Sequence, residues 1–262
     1  WPRSSGEPRL DAWLARAHTD LDALRMSTVS EPGSVFLAAG APWFFTLFGR
    51  DSIWAARLLA PLGGTLARDT LRVLAGMQGR RVDDETGEQP GKIPHELRRS
   101  AQQFTTESLS LPPLYYGTID ATALWICLLC DAAEYGMPET ELAELLPNLE
   151  SALAWLRDYG DADGDGLLEY VNHGGGGLAN QGWKDSGDAV QWKDGRLAKP
   201  PIALCEVQAY AYEAAIRGAA LLDRLGHDGA PWRSWAERLR TAFNERFWNG
   251  TAYRSPDYKQ ET

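Results

Sequence analysis

The most chemically suggestive stretch of the chain is Asn180-Gln181-Gly182-Trp183-Lys184-Asp185-Ser186-Gly187-Asp188. It sets two carboxylates three residues apart beside an indole and a cation. Cleaving a glycosidic bond needs a carboxylic acid to protonate the leaving oxygen and a second carboxylate on the other side of the sugar. Burial against an indole face keeps such an acid protonated near neutral pH. Asp185, next but one to Trp183, fits that description best, and Asp188 competes with it. The preceding glycines, Gly174 to Gly177, lack the Gly-Lys-Ser of a phosphate loop and read as a flexible approach to Trp183.

Further candidates precede this segment. Trp43-Phe44-Phe45-Thr46-Leu47-Phe48-Gly49-Arg50-Asp51-Ser52 runs an aromatic stretch into a helix start. Asp51 or Ser52 can serve there simply as a cap. An Arg-Asp pair beside Trp43 also suits sugar hydroxyls, because guanidinium donates a fork of N–H groups and carboxylate accepts. His95-Glu96 offers a second hydroxyl-binding pair, against the plainer reading of a structural histidine. Tyr116 and Asp120 stand before another helix, where Thr118 or Asp120 again fits a cap. Asp161-Ala162-Asp163-Gly164-Asp165-Gly166 opens like a calcium loop but has Asn172 at the twelfth position, where a bidentate Glu belongs. It reads as a tight acidic turn, so neither metal nor cofactor is expected.

These residues need a scaffold, and the periodicity supplies one. Apolar residues recur at helical spacing over 10–28, 50–62, 66–77, 119–135, 139–159, 204–225 and 231–248. Strand signals are weak and confined to loops around Val171 and Ile202. Short turns at Gly63-Gly64, Gly136–Pro138 and Gly226–Ala230 alternate with long segments at 29–49, 78–118 and 161–203. Strict alternation places the short turns on one face and the long, function-bearing loops on the other. Helices apolar on more than one side, such as 119–135, need neighbours on both sides. A closed ring of hairpins with inner and outer layers satisfies this, the seven helices forming a little over half of it; a helical bundle or solenoid is the alternative.

Composition narrows the partners. The 262 residues carry a formal charge of −10, which leaves no basic stripe for nucleic acid or an anionic membrane. No apolar run approaches the ~18 residues of a membrane span. The 11 Trp suit either core filling or platforms for sugar rings. Cys127, Cys130 and Cys205 make an odd count, and Cys127-x-x-Cys130 lies within an apolar helix, so buried thiols rather than a metal or redox motif are expected. Reduced thiols without a visible signal segment favour a cytoplasmic setting. Oligomeric state is not encoded in any of these features.

Taken in order, these segments resemble the bacterial amylo-α-1,6-glucosidase, glycogen-debranching-like proteins. Those proteins are relatives of the six-hairpin glycosidases that include glucoamylase, trehalase and mannosylglycerate hydrolase. The residues carrying the resemblance are Pro42-Trp43-Phe44 with Leu47-Phe48-Gly49-Arg50-Asp51-Ser52, Pro90-Gly91-Lys92-Ile93-Pro94-His95-Glu96, and Tyr115-Tyr116-Gly117-Thr118-Ile119-Asp120. Asp163-Gly164-Asp165-Gly166, Asn180-Gln181-Gly182-Trp183-Lys184-Asp185-Ser186 and Glu206-Val207-Gln208 follow.

The resemblance implies an all-α (α/α)6 toroid, present as the front part of the barrel without an upstream β-sandwich or the last helices. It implies inverting hydrolysis of α-glucosidic bonds in oligosaccharides or glucans, with the general base on a later helix. Arg50 and Asp51 would grip the terminal sugar, with Trp43, His95, Glu96, Tyr116, Asp120, Trp183 and Lys184 around it. Asp185 matches the Trp-x-Asp element of debranching enzymes, while a trehalase-like alignment points to Asp188, where Gly187 replaces the usual aromatic. A non-catalytic sugar-binding module and a protein-binding helical scaffold are the rival readings. All of the sugar-related readings require residues from Trp43 to Asp188 to converge at one rim of the ring.

Overall fold

The structure, a computed structural model, describes residues 6–104, 109–172, 176–248 and 250. Gly174 and Gly175 of the glycine run lie outside these residues. Eight α-helices carry the described part, with strands of two or three residues confined to the connections.

Helix α1 (Pro8–Ala23) starts with Pro8 in its first turn and the Glu7 carboxylate accepting the Leu10 N–H at 2.9 Å. It ends short of the predicted Thr28 because Arg25–Met26 (β1) leaves to pair antiparallel with Phe36–Leu37 (β2). Its apolar stripe is only half-buried, and no residue of α1 is fully buried.

Three helical hairpins follow. Helices α2 (Gly49–Leu59) and α3 (Thr65–Gly76) form the first, α4 (Ala121–Glu134) with α5 (Glu139–Glu144) and α6 (Leu146–Asp158) the second, and α7 (Cys205–Arg224) and α8 (Ala230–Phe247) the third. The periodic stretch 139–159 predicts one helix, but it breaks at Leu145. Pro147 lacks an N–H and its ring crowds the preceding turn, so it is accommodated only in the first turn of a new helix. Two of the short connections are closed by glycine at left-handed backbone. Gly136 (φ 91°) and Gly226 (φ 83°) let Met137 and His227 donate back to Ala132 and Leu222, both at 2.8 Å, which satisfies carbonyls left open at the helix ends.

Helix α4 is buried all round: twelve of its fourteen residues are inaccessible. It packs on α2, α3, α6 and α7, and the Trp125 indole donates to the Leu71 carbonyl at 3.2 Å. Helices α2, α4 and α7 are successive neighbours and form an inner layer; α3, α5–α6 and α8 pack outside them. The arrangement is the expected all-α arc of an (α/α)6 toroid. Cys127 and Cys130 face this core, buried as expected, and burial pushes both thiols up; Cys205 is exposed.

The long connections contain structure that the sequence did not announce. Leu47–Phe48 (β3), Glu96–Leu97 (β4) and Leu114–Tyr115 (β7) form an antiparallel sheet in the order β3-β4-β7, with Phe48 opposite Glu96 and Glu96 opposite Tyr115. Gln102–Phe104 (β5) pairs with Leu109–Leu111 (β6). The weak signal near Val171 and Ile202 corresponds to a single bridge between Tyr170 and Ile202.

Candidate active site

The small sheet sets the start of α2 against the loop that ends in Glu96. Gly49 donates its N–H to the His95 carbonyl at 2.7 Å, and a Cβ there would stand 2.2 Å from the Pro94 carbonyl oxygen, so only glycine permits this approach. The next residue, Arg50, is thereby carried into the junction of three loops. Its Nη1 donates to both carboxylate oxygens of Asp120, at 3.0 and 3.3 Å, and its Nη2 reaches Oδ2 of Asp185 at 3.5 Å. Burial opposes the Arg50 charge, but Asp120, Asp51 and Asp185 outweigh it and raise its pKa.

Two staples, one of backbone and one of side chains, bring Asp185 here. The Ile119 N–H donates to the Gln181 carbonyl at 2.8 Å, fastening the 180s loop to the start of α4. Asn180 accepts from the Tyr170 hydroxyl at 2.8 Å and donates to the Ser186 carbonyl at 2.7 Å, closing the loop around Trp183 and Asp185.

Arg50, Asp51, Trp183 and Asp185 line an open cleft of about 840 Å³ together with Phe44, Phe48, Trp54 and Tyr210. Asp51 sits in the first turn of α2. Partial desolvation within the cleft raises its carboxyl above the ordinary range, with Arg50 pulling the other way. The capping readings do not hold: no side chain caps α2 or α4, and Ser52 instead donates to the Leu37 carbonyl at 2.7 Å.

The expected pairing of Asp185 with its indole takes a different form. Its side chain is 43% exposed and faces Arg50, so burial is not what sets its environment. Trp183 is 56% exposed, with Lys184 Nζ 5.2 Å from the ring centroid. Asp188 is exposed and outside the cleft lining, and its carbonyl accepts from Gln191. Of the two acids, Asp185 lines the cleft and Asp188 does not.

The other predicted residues stand in a shell around the cleft. Glu96 is buried and accepts from Arg98 Nε at 2.7 Å; burial raises its carboxyl and Arg98 opposes that. Arg98 also lies 5.3 Å above the Phe48 ring and donates to the Trp43 carbonyl at 3.3 Å, tying the aromatic loop to β4. Trp43 itself is 79% exposed and is not part of the cleft wall. His95 is buried edge-on between Phe48 and Tyr115, and burial, reinforced by Arg50, Arg98 and Lys92, pushes it down to about 3. The imidazole is enclosed by these rings and does not line the cleft. Tyr116 is likewise buried away from the cleft, its hydroxyl donating to the Met77 carbonyl at 2.7 Å.

Asp120 is 1% exposed, with its oxygens occupied by Arg50 and by Thr118 Oγ1 at 2.8 Å, so it does not face a ligand. Arg98, Trp54 and Tyr210 were not singled out from sequence. The Glu96-x-Arg98 spacing, which in extended backbone turns both side chains to one side, is the one signal that points to Arg98.

The acidic turn brings carboxylate oxygens of Asp161, Asp163 and Glu169 within 4.8 Å of one another. Asp161 accepts the backbone N–H groups of Gly164, Asp165 and Gly166, which is the local geometry of a tight acidic turn. Among the described residues no helix is long and apolar enough to cross a membrane.

Two solved structures share this architecture. A rhamnosidase from Klebsiella oxytoca with rhamnose bound superposes with a TM-score of 0.59 at 16% identity, covering 95% of this chain and 41% of its own. The GH63 mannosylglycerate hydrolase from Thermus thermophilus, in complex with Tris, gives a TM-score of 0.62 at 14% identity, covering 90% of this chain and 65% of its own. The chain thus spans less than two thirds of either relative. No curated protein matches it. The sequence profile of the mannosylglycerate hydrolase MGH1-like glycoside hydrolase domain matches residues 48–262. With that match over most of its length, the chain belongs to the mannosylglycerate hydrolase-like glycoside hydrolases.

Proposed function

We propose that this glycoside hydrolase domain serves an inverting α-glycosidase acting on glucan-type oligosaccharides, with debranching-type α-glucosidic bonds as its substrates. Asp185 protonates the glycosidic oxygen. Arg50 and Asp51 hold hydroxyls of the terminal sugar, and Trp183 offers its exposed indole face to the ring. The observation that carries this reading is the 3.5 Å approach of Arg50 Nη2 to Asp185 Oδ2, which joins a helix-start residue to a loop 135 positions away at one cleft.

An arginine at that distance orients the acid and stands ready to hold a hydroxyl beside it. Inversion requires a second carboxylate roughly 6.5–9.5 Å from the first, with water between them. Among the described residues lining the cleft, Asp51 is the other carboxylate, and we assign it to hydroxyl binding, with the base expected on a later helix.

The test is Asp185→Asn in the full-length natural protein, assayed on maltose, isomaltose, trehalose, glycogen, mannosylglycerate and an aryl rhamnoside. Loss of nearly all turnover with sugar affinity kept supports the role of Asp185. Undiminished turnover removes it. Preference for mannosylglycerate or the rhamnoside would reassign the substrate while leaving the acid in place.

A further inference from the structure

We propose that Asp120 is a positioning residue that works through Arg50, a role that rests on the reading of Asp185 as the acid. Asp120 occupies the N-cap position of α4, where an Asp ordinarily accepts a backbone N–H of the first turn; here it makes no such bond. Its carboxylate is turned instead toward Arg50, and both of its oxygens take Nη1 of that residue. Thr118, two residues earlier, donates its hydroxyl to Oδ1 at 2.8 Å and fixes the carboxylate plane. With 1% of its side chain exposed, Asp120 has no free edge for a sugar.

The consequence lies in the shape of the guanidinium. Its plane is rigid, so anchoring Nη1 determines where Nη2 points, and Nη2 points at Asp185. The relay Thr118–Asp120–Arg50–Asp185 thus runs from a buried hydroxyl to the exposed acid through one inflexible group. Lysine would carry it poorly, since its ammonium is a point charge on a flexible stem and lacks the rigid fork that fixes Asp185 relative to Asp120. Asp120 also offsets the Arg50 charge on the inner side, leaving the outer nitrogen to the cleft.

A double-mutant cycle on the full-length natural protein tests this. Asp120→Asn is expected to lower kcat by about 10–100-fold, the scale of misplacing a reacting group by an ångström. Arg50→Lys should cost at least as much, and Asp120→Asn should add less than about threefold in the Arg50→Lys background, because its effect passes through the guanidinium. Thr118→Val keeps the ion pair and serves if Asp120→Asn does not fold. Its smaller loss, about 3–10-fold, should likewise vanish beside Arg50→Lys. Fully additive losses, or unchanged kcat in folded Asp120→Asn and Thr118→Val, would overturn the proposal. Asp185→Asn measured alongside separates the two ideas: an active Asp185→Asn protein sinks the underlying reading, whereas an inactive one with additive Asp120 losses sinks only the relay.

Discussion

A Cβ on Gly49 would meet the Pro94 carbonyl oxygen at 2.2 Å. The contact is with backbone, so no side-chain rotation relieves it. The same junction carries the Gly49 N–H bond to His95 and sets the first turn of α2 under the cleft. Gly49→Ala must therefore push the 94–96 loop away from Arg50. We expect a loss of about 1–3 kcal/mol, seen as a lower Tm, with sugar affinity falling by more than stability alone explains. A melt and a binding titration on one preparation would show both, and an unchanged Tm would remove the steric argument.

Lys92 gives a stability that depends on pH. It is buried with its Nζ donating to the Gly87 carbonyl at 3.2 Å, and burial lowers its pKa to about 7. The unfolded chain holds that proton up to the ordinary lysine range. Between about pH 7 and that range the unfolded state binds more protons, so stability rises with pH there. The penalty from this group is full below about pH 7 and is relieved as pH climbs. Lys92→Met removes the desolvation cost. Its Tm should exceed that of the natural protein most at about pH 6 and least at about pH 10; a gain that grows with pH would contradict this account.

Trp183 should separate binding from folding. Because its ring is more than half exposed, Trp183→Ala is expected to shift stability by less than about 0.5 kcal/mol. Sugar affinity should weaken roughly tenfold if the indole is a platform, the usual scale for truncating an aromatic anchor. Calorimetric titration with a disaccharide checks it, and an unaltered Kd would relegate Trp183 to the surface.

Much of this architecture is legible in the residues alone. The inner helix α4 declares itself through an apolar run too continuous for a one-faced helix, and the glycines at 136 and 226 mark real ends. Arg50 and Asp185 are readable by residue type and neighbourhood. The break at Leu145 is visible in Pro147, yet the apolar period running through it conceals it.

What could not be read depends on partners far along the chain. The strands at 47–48, 96–97 and 114–115 are too short to show alternation, and only their pairing makes them strands. Asp120 looks like a cap or a sugar ligand until Arg50, 70 residues away, is seen to occupy it. His95 reads equally as a hydroxyl-binding or a structural residue until Phe48 and Tyr115 are found enclosing it.

The staples at Gly49–His95 and Ile119–Gln181 join loop to helix start through main-chain atoms alone. Glycine at position 49 apart, such joints do not depend on side-chain identity, so neighbouring loop positions are free to change type while the architecture holds. Divergence within such a scaffold can rewrite which sugar is welcomed and leave the hairpins beneath almost untouched.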